Sequence, residues 1–101
     1  MLRVPTKEIL YFMSMDKKIL IIKKDGKEEF YGKLKAILDK LPANFMMIHQ
    51  SYIVNHAYVS EYTYESIKMI SGETLSISKP YRKGIRSQIK QFQKAKEKDV
   101  F

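Results

Sequence analysis

The sequence predicts a mainly β domain of antiparallel strands with two short helices. Runs rich in aliphatic and aromatic residues recur at residues 8–13, 18–24, 27–31, 45–48 and 59–64. Turn signals, Asp25-Gly26 and Ser71-Gly72, stand between such runs. Helical spacing of apolar residues is confined to two short segments.

The first strand is the Glu8-Ile9-Leu10-Tyr11-Phe12-Met13 run, closed by a polar break, Ser14-Met15-Asp16-Lys17. The second, residues 18–24, contains Ile19-Leu20-Ile21-Ile22, too continuous for either face to be fully exposed. Asp25-Gly26 predicts a type I′ hairpin turn, which needs positive φ at both central residues. Residues 27–31 then return. Leu34, Ile37, Leu38 and Leu41 give one buried helical face, ended by Pro42. Residues 45–48 form another strand and residues 59–64 a weakly alternating one. Ile67 and Met69 oppose Lys68, and Leu75 and Ile77 alternate with Ser76, so Ser71-Gly72 turns a hairpin. Tyr81, Ile85, Ile89 and Phe92 restore helical spacing, with Ser78 as a cap and Pro80 in the first turn. Gly84 weakens the start of that helix. The domain is expected to span residues 1–93, with 94–101 a basic, frayed tail.

Composition narrows the function. One hundred and one residues suffice for one domain with one core. Cysteine is absent, which removes disulfides, thiolate metal sites and a cysteine nucleophile. No apolar run reaches the ~18 residues of a membrane span, and no signal-peptide core follows Met1-Leu2-Arg3, so a cytoplasmic location is expected. His49 and His56 have no carboxylate at ligand spacing, and no glycine loop could cradle a phosphate. Neither catalysis, nor a metal, nor a cofactor is expected.

The net charge of +8 and a pI near 9.6 favour a polyanionic partner, nucleic acid before an anionic membrane. The distribution sharpens this. From Lys79 to Lys96 seven cations occur without one acid, whereas Asp25, Glu28, Glu29 and Asp39 lie in the first half.

Residues 45–55, Phe-Met-Met-Ile-His-Gln-Ser-Tyr-Ile-Val-Asn, carry the most specific pattern: an apolar run interrupted by His49-Gln50-Ser51. This order resembles the central motif of the LytTR family, the DNA-binding output domain of bacterial response regulators. Glu8-Ile9-Leu10-Tyr11-Phe12 is similar to its opening strand, and Phe30-Tyr31-Gly32-Lys33-Leu34-Lys35 to its strand-to-helix junction. Leu75-Ser76-Ile77-Ser78-Lys79 with Tyr81-Arg82-Lys83 resembles its last strand and exit. The resemblance implies an elongated arrangement of small antiparallel sheets, with loops rather than a recognition helix meeting DNA. It further implies double-stranded DNA as partner, in paired direct repeats, a homodimer on DNA, and a receiver domain absent from this chain.

Three polar breaks hold the candidate contacts. The resemblance places Lys17, beside Lys18, at a base-contacting position in a major groove; the plain alternative is a solvated strand end. In the second break Gln50 can pair bidentately with adenine and Ser51 can reach a phosphate. Family members commonly carry Arg or Asn at the position of Gln50. His49 is expected to bond backbone in its loop, Asn55 to serve a turn, and Tyr52, Ile53 and Val54 to be core. The third break is Ser78-Lys79-Pro80-Tyr81-Arg82-Lys83. Lys79 stands where many members have Arg, and can contact guanine without the rigid guanidinium fork. Arg82 and Lys83 suit phosphates, and cations at a helix start run against the helix dipole. Two rival functions remain. Solvent-facing Tyr62 and Tyr64 would suit an RNA or single-strand binder. The charge alone would suit a basic membrane- or protein-interaction module.

Overall fold

The computed structural model describes residues 4–99, with side chains as far as Gln93. Two antiparallel sheets and two α-helices make up the domain. The larger sheet is built from β1 (Ile9–Met15), β2 (Lys18–Lys23), β3 (Gly26–Tyr31), β4 (Phe45–His49) and β5 (Tyr52–Asn55), in the order β3-β2-β1-β5-β4. The smaller is a meander of β6 (Val59–Tyr62), β7 (Ser66–Met69) and β8 (Thr74–Ser76). Helix α1 (Leu34–Leu38) crosses between β3 and β4, and α2 (Arg82–Asp99) ends the described chain. The molecule measures 42 × 29 × 26 Å, elongated along one axis.

Alternation along the strands gives the large sheet two buried faces. Phe12, Ile19, Ile21, Phe45 and Ile53 pack with Leu34 of α1 on one. Tyr11, Met46, Ile48 and Val54 pack on the other with Ile67, Met69, Leu75 and Ile77, and with Ile85 and Ile89 of α2. This second cluster binds the small sheet and α2 to the large one. A register shift between Ile9 and Tyr11 places Leu10 and Tyr11 in the same cluster, which strict alternation would forbid.

Several details depart from the sequence expectations. Tyr52–Asn55, read only as core, is a strand that lies between β1 and β4. The β2–β3 loop is Lys24-Asp25; positive φ falls on Gly26 alone (154°), so this is not a type I′ turn. Asp16, the first residue of the β1–β2 loop, has φ 56°, a conformation Asp tolerates better than most side chains. β1 runs to Met15, leaving only Asp16-Lys17 as the break. Ser78 makes no side-chain cap; a 3-10 turn over Lys79–Tyr81 intervenes before α2. The terminal helix α2 runs 18 residues, Arg82–Asp99. Val100 and Phe101 lie outside the described residues. Tyr62 is half-buried rather than solvent-facing, and its hydroxyl is enclosed without a partner among the described residues; burial pushes that phenol's pKa up.

Asn55 is the buried polar residue of this core, 2% exposed. Its amide donates to the Ile9 carbonyl (2.9 Å) and more weakly to that of Thr6 (3.5 Å). Its carbonyl accepts from Asn44 Nδ2 (2.7 Å) and from the Ala57 N–H (3.0 Å), capping the 3-10 turn His56–Tyr58. One side chain thus ties the chain entry, the α1–β4 connection and the exit of β5 together.

Candidate nucleic-acid interface

Three connections gather at one part of the surface: the β1–β2 turn, the β4–β5 turn and the segment between β8 and α2. Backbone hydrogen bonds fix them. The Ser14 N–H donates to the Ser51 carbonyl (2.9 Å), joining the end of β1 to the β4–β5 turn. The Ser78 N–H donates to the Ile48 carbonyl (3.0 Å), joining the exit of β8 to β4. The Gly32 N–H donates to the Lys17 carbonyl (3.2 Å), bringing the start of α1 against the β1–β2 turn.

Between them lies an open cavity of about 600 Å³, whose lining includes Lys17, Lys33, Lys35, Gln50 and Tyr81. Asp16 is the single acid among its described lining residues. Three ammonium groups thus share a concave surface with an amide and a phenol, an arrangement that can hold phosphates while presenting a hydrogen-bonding side chain to a base edge.

Of the nine residues nominated from sequence, Lys17, Gln50 and Tyr81 line this cavity. Ser51 adjoins it through its bond with Ser14, and Ser78 through its carbonyl, which accepts from the Tyr81 N–H (2.9 Å). Lys79 and Lys83 are exposed where the chain enters α2 and lie outside the cavity lining. Lys18 is partly committed elsewhere: its Nζ lies 3.4 Å from Glu29 Oε1 and 5.6 Å from the centre of the Tyr31 ring. Arg82 is half-buried and donates through Nε to the Ile77 carbonyl (3.0 Å), so part of its guanidinium holds the exit of β8 to α2. Lys83→Ala is therefore expected to weaken all duplexes alike, lowering the salt-dependence slope by ~0.9 with an unchanged melting temperature. Arg82→Ala should also lose about 1 kcal/mol of stability. Filter-binding titrations across salt concentration, with melting curves, separate the two.

His49 bonds within its loop, as expected: Nδ1 accepts from the Ser51 N–H (3.0 Å), and its ring packs on Tyr52 with centroids 5.2 Å apart. That bond puts the proton of the neutral ring on Nε2 and shapes the turn that carries Gln50.

Lys33 and Lys35 were missed by sequence reasoning. In the sequence they only flank apolar Leu34 directly after Gly32. Nothing local distinguished them from ordinary solvated lysines; the Gly32–Lys17 backbone bond brings them to the site.

A two-sheet antiparallel domain whose connecting turns collect cations around hydrogen-bonding side chains defines a small β module with a cationic loop surface. The family model of the LytTr DNA-binding domain matches residues 1–90. The chain therefore belongs to the LytTr DNA-binding domain family, the DNA-binding output domains of response regulators. A solved LytTr DNA-binding domain from Bacillus cereus, assigned to a methyl-accepting/DNA response regulator, is similar to it with a TM-score of 0.78 and 24% identity, covering 85% of this chain and 84% of that one. No curated protein matches the chain. Among the described residues no helix is long and apolar enough to cross a membrane.

Proposed function

We propose that this domain binds double-stranded DNA sequence-specifically and regulates bacterial transcription, with its turns entering major grooves. The observation that carries this reading is the meeting of Lys17, Gln50 and Tyr81 around one cavity with Lys33 and Lys35. Gln50 reads a base edge, and Lys79 a second one from the segment before α2. Lys17 takes the base-contacting position implied by the family pattern. Lys18, Ser51, Ser78, Tyr81, Arg82 and Lys83, joined by Lys33 and Lys35, position the duplex through its phosphates. The target is a pair of direct repeats occupied by two copies, and the domain works in the cytoplasm under a receiver domain.

The single-strand alternative is weakened by Tyr62, whose enclosed hydroxyl and half-buried ring offer no free stacking platform; Tyr64, 46% exposed, keeps one.

Selection of bound duplexes from a random pool, followed by salt titration of the best site, tests the proposal. With about 4 to 6 phosphates neutralised, log affinity should fall against log salt with a slope of about −4 to −5. A flat response, or single strands preferred to duplexes, overturns it.

A further inference from the structure

Strand β3 is an edge of the large sheet, and it is six residues long. Native edges are commonly guarded by bulges, prolines, very short strands or charged side chains. β3 has no bulge and no proline, and only its charges, Lys27, Glu28 and Glu29, restrict what can pair with it: its pairing with β2 runs from Gly26 to Tyr31 without a register shift, whereas the β1–β2, β4–β5 and β6–β7 pairs each contain one. The opposite edge, β4, is different, because the Ser78 N–H bonds the Ile48 carbonyl there.

The hydrogen-bonding parity of β3 is fixed. The Gly32 N–H donates to Lys17 across the β2–β3 ladder, and the two-residue loop closes on Lys23 and Gly26. Residues 26, 28 and 30 therefore turn their backbone groups to β2, while Lys27, Glu29 and Tyr31 turn theirs outward. All three are exposed, Tyr31 by 75%.

We propose that β3 is the docking edge for a second copy of this chain, pairing antiparallel with its own counterpart about a twofold axis at Glu28. Two Lys27–Glu29 pairs favour that occupant, and favour that register over axes at residues 27 and 29. Parity allows only outward residues to form the hydrogen-bonded pairs. With the axis at Glu28, Lys27 stands opposite the partner's Glu29, and Glu29 opposite the partner's Lys27. Shifting the axis to residue 27 or 29 sets Lys27 or Glu29 against its own copy, and like charges directly opposite are destabilising. Glu28 meets the partner's Glu28 at the axis, but each is held by its own Lys23, 3.2 Å away. Glu29 shares its charge with Lys18 at 3.4 Å, an exposed pair that leaves carboxylate lone pairs free for a second cation. The interface does not rest on the DNA reading, and its twofold symmetry sets it apart from a head-to-tail arrangement on direct repeats.

Sedimentation equilibrium of the full chain at low salt should show monomer and dimer exchanging with concentration. Lys27→Glu and Glu29→Lys should each weaken the dimer about tenfold, and the double variant should restore it to within about twofold. Because the chain lacks cysteine, Glu28→Cys supplies a single thiol at the axis. It should oxidise to a disulfide dimer far faster than Ser60→Cys, whose thiol would sit exposed on β6. Melting curves check that each variant is folded. A chain that stays monomeric throughout, a double variant no better than the singles, or equal crosslinking at positions 28 and 60 each overturns the proposal.

Discussion

Gln50→Ala is expected to flatten the domain's choice among duplexes while leaving most of its non-specific affinity. Gln50 is exposed in the β4–β5 turn and lines the cavity shared with Lys17, Lys33 and Lys35. Its removal takes away a bidentate donor–acceptor pair and no charge. A good base pairing supplies about 1 to 3 kcal/mol of discrimination, so the ratio of best-site to random-site affinity should fall ~5- to 150-fold. Lys79→Ala should lower the same ratio, with a further small loss of non-specific binding because a cation goes with it. Both variants should melt like the parent, since both side chains are exposed. His49→Ala is the contrast. It removes the acceptor for the Ser51 N–H and the ring packed on Tyr52, so stability should drop by about 1 to 2 kcal/mol while most base preference survives. Specific and non-specific affinities at one salt concentration decide the matter. Unaltered discrimination in both the Gln50 and Lys79 variants would remove these two residues from base readout.

Asn55→Ala should be the most destabilising single change predicted for this domain. Truncation leaves the Ile9 carbonyl, the Ala57 N–H and the Asn44 amide without their shared partner, the first of them in a buried bond. Unsatisfied buried groups of this kind cost about 1 to 3 kcal/mol each, partly relieved by water, so a net loss of about 2 to 4 kcal/mol is expected. For a domain of this size that lowers the melting temperature by roughly 10 to 30 °C. Asn55 is not part of the cavity lining, so protein kept folded at low temperature should hold duplex DNA nearly as well as the parent. A melting temperature within a few degrees of the parent would show that the hub is dispensable. A large loss of DNA affinity in cold, folded protein would show that it governs the turns.

Much of this domain was legible in one dimension. Alternation at Ile67, Met69, Leu75 and Ile77, and helical spacing at Ile85 and Ile89, located buried faces that the structure confirms. Such patterns are readable because burial repeats with the period of the element itself. Tyr52–Asn55 escaped because four residues hold too little of any period; its strand exists through pairing with Phe45–His49 and with β1. The β2–β3 hairpin was expected, but its turn was placed one residue late, at Asp25-Gly26 instead of Lys24-Asp25, since Asp-Gly permits more than one turn and the flanking register chooses. The opposite error at Tyr62 has the same origin: weak alternation could not say that β6 would be flanked by the core beneath it.

The candidate site divides in the same way. The sequence by itself determined the chemistry of the parts: a cation excess, an acid-free run after Lys79, and a His-Gln-Ser break in an apolar segment whose order marks the LytTr family. Those are properties of residue type and near-neighbour order. Only the tertiary structure decided which parts work together. It set Lys33 and Lys35 beside Lys17 and Gln50, engaged Lys18 with Glu29, and used Arg82 to hold the Ile77 carbonyl. The physical reason is that a charge acts over distances in space, and positions 17, 33 and 50 become neighbours only through the backbone bonds Gly32–Lys17 and Ser14–Ser51.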